Sequence, residues 1–193
     1  MTENINPLQK YYRQPAIYIK LPSAGRYYDR NVYTPSETGE IPILPMTAKD
    51  ELAFKTPDAM INGQATVDVI KSCVPNLLDP WKMVNYDTDT VLLAIRIATY
   101  GETMNIRFAV PVTGAEQEHT VNLPAILDDL GKVKIEDYAT TSKGFKIKIM
   151  PLTYDTLTKI QIARFEQQKI YGTINSSTLT EEQKQTAFAK SFE

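Results

Sequence analysis

Apolar positions recur at helical spacing between Ile43 and Gly101, and residues typical of turns separate the apolar segments. Thr47 or Asp50 is suited to cap a short helix that continues to Phe54. Pro57 suits the first turn of a second helix, because its fixed φ angle matches the helical value. The pattern therefore predicts a cluster of short helices rather than one long helix.

Asn62-Gly63 is a strong turn signal, so a third helix is expected to begin at Gln64. This helix is expected to end at Cys73, because the residue before Pro75 disfavours the helical conformation. Cys73 occupies an apolar position of the pattern, where a free cysteine behaves as a small hydrophobic side chain. A single cysteine excludes an internal disulfide and fits a reducing compartment.

The clearest helix follows Asp87 and Asp89, either of which can serve as its N-cap. Its apolar face consists of Val91, Leu92, Ile95 and Ala98. Gly101 is expected to end the helix, since glycine adopts the left-handed conformation at little cost. These helices together form the predicted core.

After this cluster the apolar period changes to two, which is typical of strands. Ile106–Val110 and His119–Leu123 predict a β-hairpin about a turn near Thr113-Gly114. Gly144–Met150 alternates in the same way, with lysines on the opposite side from Phe145, Ile147 and Ile149. Lys134-Ile135 is a candidate for pairing with this strand. The alternation favours the solvent-exposed face of a strand over a basic binding patch.

The C-terminal part is predicted to be helical again. One helix is expected from Tyr154 to Tyr171, ending at Gly172. Its expected inward side chains are Leu157, Ile160, Ala163 and Phe165. Thr180–Gln183 forms a capping box that opens a last helix, whose apolar stripe includes Phe188 and Phe192. That stripe needs either the protein's own core or a partner, and the partner is slightly favoured.

Residues 1–42 contain five prolines and six tyrosines. Prolines at this density exclude a long helix or a central strand, although Ala16–Leu21 alternates like a short strand. Tyrosine buries a large ring while its hydroxyl stays hydrated or bonded. This extended segment is expected to lie either on its own domain or on a neighbour, and the first fifteen residues favour the neighbour.

The predicted fold is therefore α+β: a short-helix cluster with a β-hairpin or small antiparallel sheet, an extended N-terminal arm and C-terminal helices. The expected divisions are a Tyr/Pro-rich arm over 1–42, an α+β core with the hairpin over 43–152, and a helical segment over 153–193. The formal charge of −2 gives no sign of a nucleic-acid partner. No apolar run is long enough to span a membrane, and no signal sequence opens the chain.

Side chains suited to catalysis or metal binding are few. His119 is the single histidine and is expected on a strand surface, which removes most nucleophile–base and histidine-rich metal sites. Helix capping explains Asp87 and Asp89, and a solvated turn explains Asp128 and Asp129. No phosphate-binding glycine loop or hydrolase motif occurs. We therefore expect no enzyme, no cofactor and no small-molecule substrate.

Several short motifs between Leu21 and Leu123, each weak alone, together resemble one family. They are Leu21-Pro22-Ser23 with Gly25, the Pro45–Glu51 segment, Pro57-Asp58-Ala59, Asn62-Gly63, Ser72-Cys73-Val74-Pro75, and the helix from Ala94-Ile95-Arg96 to Tyr100-Gly101. The combination resembles the tail baseplate hub proteins of T-even-type contractile-tailed bacteriophages. Some members of that family have a Cys-Pro-x-Cys-Gly turn where this chain has Val110 and Thr113 at the cysteine positions. Valine cannot bind zinc, so no metal is expected.

The resemblance implies a non-catalytic structural or assembly role through contacts with other phage tail and baseplate proteins. It implies a location in the virion tail baseplate, and in the host cytoplasm during assembly. The candidate partner-binding residues are Tyr11, Tyr12, Tyr27 and Tyr28 in the arm, and Phe188 and Phe192 near the C-terminus.

Three alternatives stay open at this point. The first is a transient assembly chaperone that holds a tail component such as the tape-measure protein. The second is a nucleic-acid-binding module that uses Lys146 and Lys148, against which the charge balance argues. The third is a small hydrolase that depends on His119 or Asp87.

Overall fold

A computed structural model describes residues 12–111, 114–133, 135–176 and 182–185. The helices are α1 (Ala48–Ala53), α2 (Pro57–Ile61), α3 (Gln64–Cys73), α4 (Asn85–Tyr100), α5 (Leu123–Gly131) and α6 (Tyr154–Ser176), with a 3₁₀ turn at Pro80–Lys82. The strands are β1 (Ile17–Ile19), β2 (Ile41–Ile43), β3 (Thr103–Ala109), β4 (Glu116–Asn122), β5 (Tyr138–Thr140) and β6 (Lys146–Lys148). The predicted α+β class is confirmed.

The first three helices of the cluster, α1 to α3, begin where they were predicted to begin. Thr47 caps α1 in a capping box with Asp50, since its hydroxyl accepts from the Asp50 amide and its own amide donates to the Asp50 carboxylate. Gly63 has a φ angle of 77°, which lets the chain turn between α2 and α3. The α3 bounds, Gln64–Cys73, are those predicted, and Cys73 is fully buried as expected of a small hydrophobic side chain.

The hydrophobic core lies between α3, α4 and the antiparallel pair β1–β2. Ile17 opposes Ile43 and Ile19 opposes Ile41, so the isoleucines at the inner positions pack onto the helices. The buried side chains of this cluster include Ile41, Ile43, Ile70, Val91 and Ile95. The sequence left open whether the N-terminal segment packs on its own domain or on a neighbour. Residues 17–43 pack on their own domain.

The prediction that Asp87 or Asp89 caps α4 is wrong. The helix begins two residues earlier at Asn85, its N-cap is Val84, and no side chain caps it. Asp87 instead lies in the first turn and is fully buried. The predicted apolar face and the positive φ angle at Gly101, 92°, are both confirmed.

The predicted hairpin is confirmed as β3–β4, with Ile106 opposite His119 and Phe108 opposite Gln117. The prediction of a strand over Gly144–Met150 is only partly correct, because the observed strand β6 has three residues. Its partner is β5, with Ala139 opposite Ile147, and not Lys134-Ile135. Lys134 itself lies outside the described residues.

The chain divides into two compact units, the first extending through Tyr154 and the second from Asp155 to Glu193. In the second unit α6 continues past Gly172 to Ser176, so the prediction that Gly172 ends it is wrong. Ala163 and Phe165 are exposed rather than inward. Phe188, Phe192 and two residues of the predicted capping box, Thr180 and Glu181, lie outside the described residues. No described helix combines the length and apolar character that crossing a membrane requires.

Candidate partner-binding surface

The two hairpins of the first unit expose apolar side chains that the core does not cover. In β3–β4, residues on one face include Met104, Ile106 and Phe108, and Ile106 and Phe108 are exposed. The opposite face carries Glu116 and Glu118 of β4, together with Arg107 of β3 opposite Glu118. The hairpin therefore has one largely apolar face and one charged face on which the two glutamates outnumber the arginine.

The β5–β6 hairpin has the same two-sided character with the opposite charge. Phe145 and Ile147 lie on the apolar face, and Phe145 is 67% exposed. Lys146 and Lys148 lie on the other face, where the Lys146 ammonium is 4.4 Å from the centre of the Tyr138 ring. The apolar surface continues through Ile149, Met150 and Leu152, which are also exposed.

No described residue between Pro124 and Leu152 is buried. A two-stranded hairpin is marginally stable by itself in water, because it has no second layer to cover its apolar face. Contiguous exposed apolar side chains on a folded domain mark interaction sites. These hairpins are therefore the surface of the described chain best suited to bind a protein partner.

One polar cluster attaches β5–β6 to the N-terminal segment. The Tyr27 hydroxyl donates to the Asp137 carboxylate, and the Arg26 guanidinium lies 3.5 Å from the same carboxylate. The hydrogen bond to Asp137 raises the pKa of Tyr27 above its ordinary value. Asp137 precedes β5, so this cluster sets the position of the hairpin relative to the core. Tyr27 is half-buried, and its hydroxyl already has a partner within the protein.

A second polar cluster lies inside the first unit around Asp87. The Ser23 amide donates to one Asp87 oxygen at 3.0 Å, while the Ser23 and Tyr28 hydroxyls donate to the other. The Tyr28 oxygen in turn accepts from the Val84 amide at 3.0 Å. Burial raises the pKa of Asp87, and the hydrogen bonds from Ser23 and Tyr28 only partly offset that effect. Burial also raises the pKa of Tyr28.

This cluster explains part of the motif at Leu21–Gly25. Gly25 has a φ angle of 74°, and a Cβ atom there would lie 2.8 Å from Cε1 of Tyr33. The Gly25 amide donates to the Ser23 hydroxyl, which completes the turn over Asp87. The arrangement fastens the N-terminal segment to α4.

A third contact was missed by sequence analysis. Arg13 donates to the backbone oxygens of Pro45 and Ser72 and lies 3.5 Å from the carboxylate of Asp50. Burial alone would raise the pKa of Asp50, but hydrogen bonds from Thr47 and Ser72 and the charge of Arg13 together lower it. Arg13 thus fixes the beginning of the described chain to α1 and α3. A single arginine in a polar segment gives no sequence signal for a contact with residues more than thirty positions away.

The predicted partner-binding residues lie in different environments. Tyr12 is 58% exposed, whereas Tyr27 and Tyr28 are half-buried and hydrogen-bonded as described above. Tyr11, Phe188 and Phe192 lie outside the described residues. Tyr27 contacts Asp137, the residue before β5, and Tyr28 is bonded within the cluster around Asp87. The exposed faces of the hairpins were noted in the sequence only as alternating strands, because periodicity does not reveal whether a second layer covers them.

The residues considered for chemistry are dispersed. His119 is exposed on β4, whereas Asp128 and Asp129 are both exposed on helix α5 rather than in the predicted turn. Burial raises the pKa of the Cys73 thiol to about 11, so the reactive thiolate is scarce at neutral pH. Within the described ranges, no group of three or more His, Cys, Asp and Glu residues is placed to bind a metal. Thr113, at one cysteine position of the related turn, is outside those ranges.

Comparison with known proteins assigns the chain to a family. The sequence model of the family described as T4 bacteriophage base plate protein matches residues 18–189. The match extends well beyond Leu123, where the motif resemblance ended, and includes both hairpins and α6. No curated protein and no solved structure shows significant similarity to the chain.

Proposed function

This chain belongs to the T4 bacteriophage base plate protein family, and from that premise we propose that it is a non-catalytic component of the tail baseplate hub. Its proposed role is to join other tail and baseplate proteins through protein–protein contacts during or after assembly of the hub. Its proposed locations are the baseplate of the virion and, during assembly, the host cytoplasm. No cofactor, nucleic acid or small molecule is part of the proposal.

The observation that supports this role most directly is the exposed apolar surface of the two hairpins. Residues 17–100 supply almost all the buried side chains, while Phe108, Phe145, Ile147 and Met150 remain in contact with solvent. A rigid core that presents apolar hairpins is suited to bury them against a neighbour, since burial of apolar area drives association. The Asp137 contacts with Arg26 and Tyr27 hold one hairpin in place before the partner arrives.

The arm and C-terminal residues remain proposed contacts. Of the predicted contact tyrosines that the structure describes, Tyr12 is the one best placed for a partner, because its ring is largely exposed. Tyr11, Phe188 and Phe192 are proposed on sequence grounds alone. Tyr27 and Tyr28 have hydrogen-bond partners within the first unit, so changes at these two positions test stability as well as binding.

The decisive experiment combines mass spectrometry of purified virions with a pull-down from infected-cell lysate. Peptides of this chain in the virion, in a ratio that matches the tail symmetry, would support a hub subunit. Presence only in a lysate complex with a tail protein would identify the transient chaperone, for which the tape-measure protein is the proposed client. Absence from both would overturn the tail role.

A variant pair locates the surface in the same pull-down. Phe145→Asp with Ile147→Asp places charge on the exposed apolar face of β6 and should abolish capture of tail proteins. Leu52→Asp is the matched control, because Leu52 is equally exposed but lies on α1 of the core. Equal loss with both variants, or with neither, would contradict the assignment of binding to the hairpins.

A further inference from the structure

The two hairpins of the first unit carry opposite charge on equivalent positions. In the described part of the chain each is a two-stranded sheet, so every one of its strands has a free edge. Residues 138–150 contain three lysines and no acidic residue, although the whole chain has a net charge of −2. The strand β4 presents Glu116 and Glu118 at alternate positions, in the same way that β6 presents Lys146 and Lys148.

The hydrogen-bond pattern shows which backbone groups of β4 point to its free edge. In an antiparallel pair only every second residue pair exchanges hydrogen bonds. The Val110 amide donates to Ala115 at 3.0 Å and the Leu123 amide donates to Glu102 at 2.9 Å. These bonds at the two ends of the ladder set its phase, and the intervening bonded pairs do not include Glu116 or Glu118. The backbone groups of Glu116 and Glu118 are therefore directed outward.

The same argument applies to β6. The Thr141 amide donates to Phe145 at 2.9 Å and the Ile149 amide donates to Asp137 at 2.8 Å. The bonded pair between them is Ala139–Ile147, so the backbone groups of Lys146 and Lys148 point to the free edge. Each free edge thus exposes unpaired donors and acceptors at its charged positions, which is a template for pairing with another strand.

We propose that β4 of one copy of this chain pairs antiparallel with β6 of a second copy. The pairing places Glu118 opposite Lys146 and Glu116 opposite Lys148, since both strands direct these residues to the edge. Residues directly opposite each other lie on the same face, so both ion pairs form on one side of the joined sheet. On the other side Ile147 lies opposite Gln117, and the apolar faces of the two hairpins become continuous.

Charge complementarity favours a second copy over an unrelated occupant. A strand that fits β6 must alternate acidic and uncharged residues, and β4 of the same chain has that alternation in matching register. Within one copy, the ion pair of Glu118 among the described residues is with the exposed side chain of Arg107, 3.8 Å away. Such an exposed pair contributes little and does not prevent a new one from forming.

The contact is heterologous, because it joins two different edges of the molecule. Every copy offers both edges, so the contact can repeat. The rotation between copies then decides whether it generates a reciprocal dimer, a closed ring or an open filament. This inference concerns contact between copies and does not depend on the proposed hub role. It is tested with the purified chain alone, so its failure leaves the proposed function untouched.

The test measures self-association by sedimentation velocity over a range of protein and salt concentrations. The wild-type chain should associate, and raising the salt should weaken the association because the pairs lie at an exposed edge. Glu116→Lys with Glu118→Lys, or Lys146→Glu with Lys148→Glu, should each weaken it by about tenfold or more, since like charges then oppose each other.

Complementation gives the decisive result. A mixture of the two double variants should associate again, because each contact then joins opposite charges. The variant with all four substitutions should associate by itself. All four side chains are exposed, so circular dichroism and melting temperature should match the wild type. Lys49→Glu with Lys71→Glu is the matched control, with the same charge change on exposed positions of α1 and α3, and should associate like the wild type.

Two outcomes would overturn the proposal. The first is a wild-type chain that stays monomeric at hundreds of micromolar in low salt. If that monomer bound a labelled DNA duplex or another tail protein through the same lysines, the edge would belong to that partner instead. The second is association that survives the double reversals, or that the mixture of variants fails to restore.

Discussion

Residues 17–100 bury many of their apolar side chains within the chain, whereas residues 103–149 leave most of theirs exposed to solvent. In the first region isoleucines from β1 and β2 close over α3 and α4, so the core is complete within one chain. In the second region two hairpins present Phe108, Phe145 and Ile147 to solvent. The stability of this unit and its proposed capacity to bind partners therefore reside in separate parts. Substitutions should separate the two properties.

The largest effect should come from the core. Ile70→Ala removes a fully buried side chain from α3 and leaves a cavity, so the free energy of unfolding should fall by about 2–5 kcal/mol. Urea denaturation followed by circular dichroism measures this change. A loss below about 1 kcal/mol would mean that the core is much less closely packed than described.

The next effect should come from the polar cluster that joins the N-terminal segment to α4. Tyr28→Phe deletes a hydroxyl that donates to Asp87 and accepts from Val84. It should lower the free energy of unfolding by about 1–3 kcal/mol, because buried polar groups lose their partner. Tyr18→Phe is the control, since the Tyr18 ring is exposed on β1 and its loss of a hydroxyl should change stability little. Equal effects at both positions would contradict a structural role for Tyr28.

The pH dependence of stability should reveal two buried carboxyl groups with opposite behaviour. Burial raises the pKa of Asp87 in the folded protein. Its contribution to the free energy of unfolding is therefore fully present below the unfolded aspartate pKa of about 3.9, and it declines as the pH rises through the higher folded pKa. The pKa of Asp50 is lowered, so its contribution is present above about pH 3.9 and is lost as the pH falls through the lower folded pKa.

The two pH dependences are measured separately by comparing the free energy of unfolding of Asp50→Asn and of Asp87→Asn with that of the wild type at several pH values. Relative to Asp87→Asn, the wild type should lose stability as the pH rises above about 3.9. Relative to Asp50→Asn, it should lose stability as the pH falls below about 3.9. A difference of the opposite sign at either site would show that its dominant influence, burial or hydrogen bonding, has been wrongly assigned.

The smallest effect on stability should come from the hairpin surface. Ile147→Ser changes a side chain that is 52% exposed, so the free energy of unfolding of the isolated chain should change by less than about 0.5 kcal/mol. The same variant should reduce capture of tail proteins in the lysate pull-down. A large loss of stability would place Ile147 in the core region and remove the contrast between the two regions.

Sequence analysis predicted those elements whose signals are local. The α3 boundaries follow from Gly63 and Pro75, and the Thr47 cap follows from its spacing to Asp50. The β3–β4 hairpin follows from a change of period around a turn. At Asp87 the same local logic failed. A carboxylate near a helix start favours capping, but the groups that bind this one lie on Ser23 and Tyr28, about sixty positions away.

The surface shows the same limit. Alternation in Gly144–Met150 predicted a strand with lysines on one side and apolar residues on the other. The length of that strand, its partner β5 and its exposure on both faces did not follow from the pattern. The three-part division into 1–42, 43–152 and 153–193 stays a prediction. The placement of residues 17–43 against α3 and α4 required contacts that proline spacing does not encode.

Local sequence signals were sufficient to predict the α+β class, the short helices α1 to α3 with the Thr47 cap and the turn at Gly63, and a set of motifs that indicates the family. These properties depend on residues within a few positions of one another, where backbone geometry and side-chain period act directly. Tertiary packing is what places Arg13 between α1 and α3 and buries Asp87 beneath Ser23 and Tyr28. It also leaves the apolar faces of the hairpins exposed within the part of the chain that the structure describes. Those outcomes depend on which distant segments meet, because burial and hydrogen bonding are properties of the packed chain rather than of any one segment.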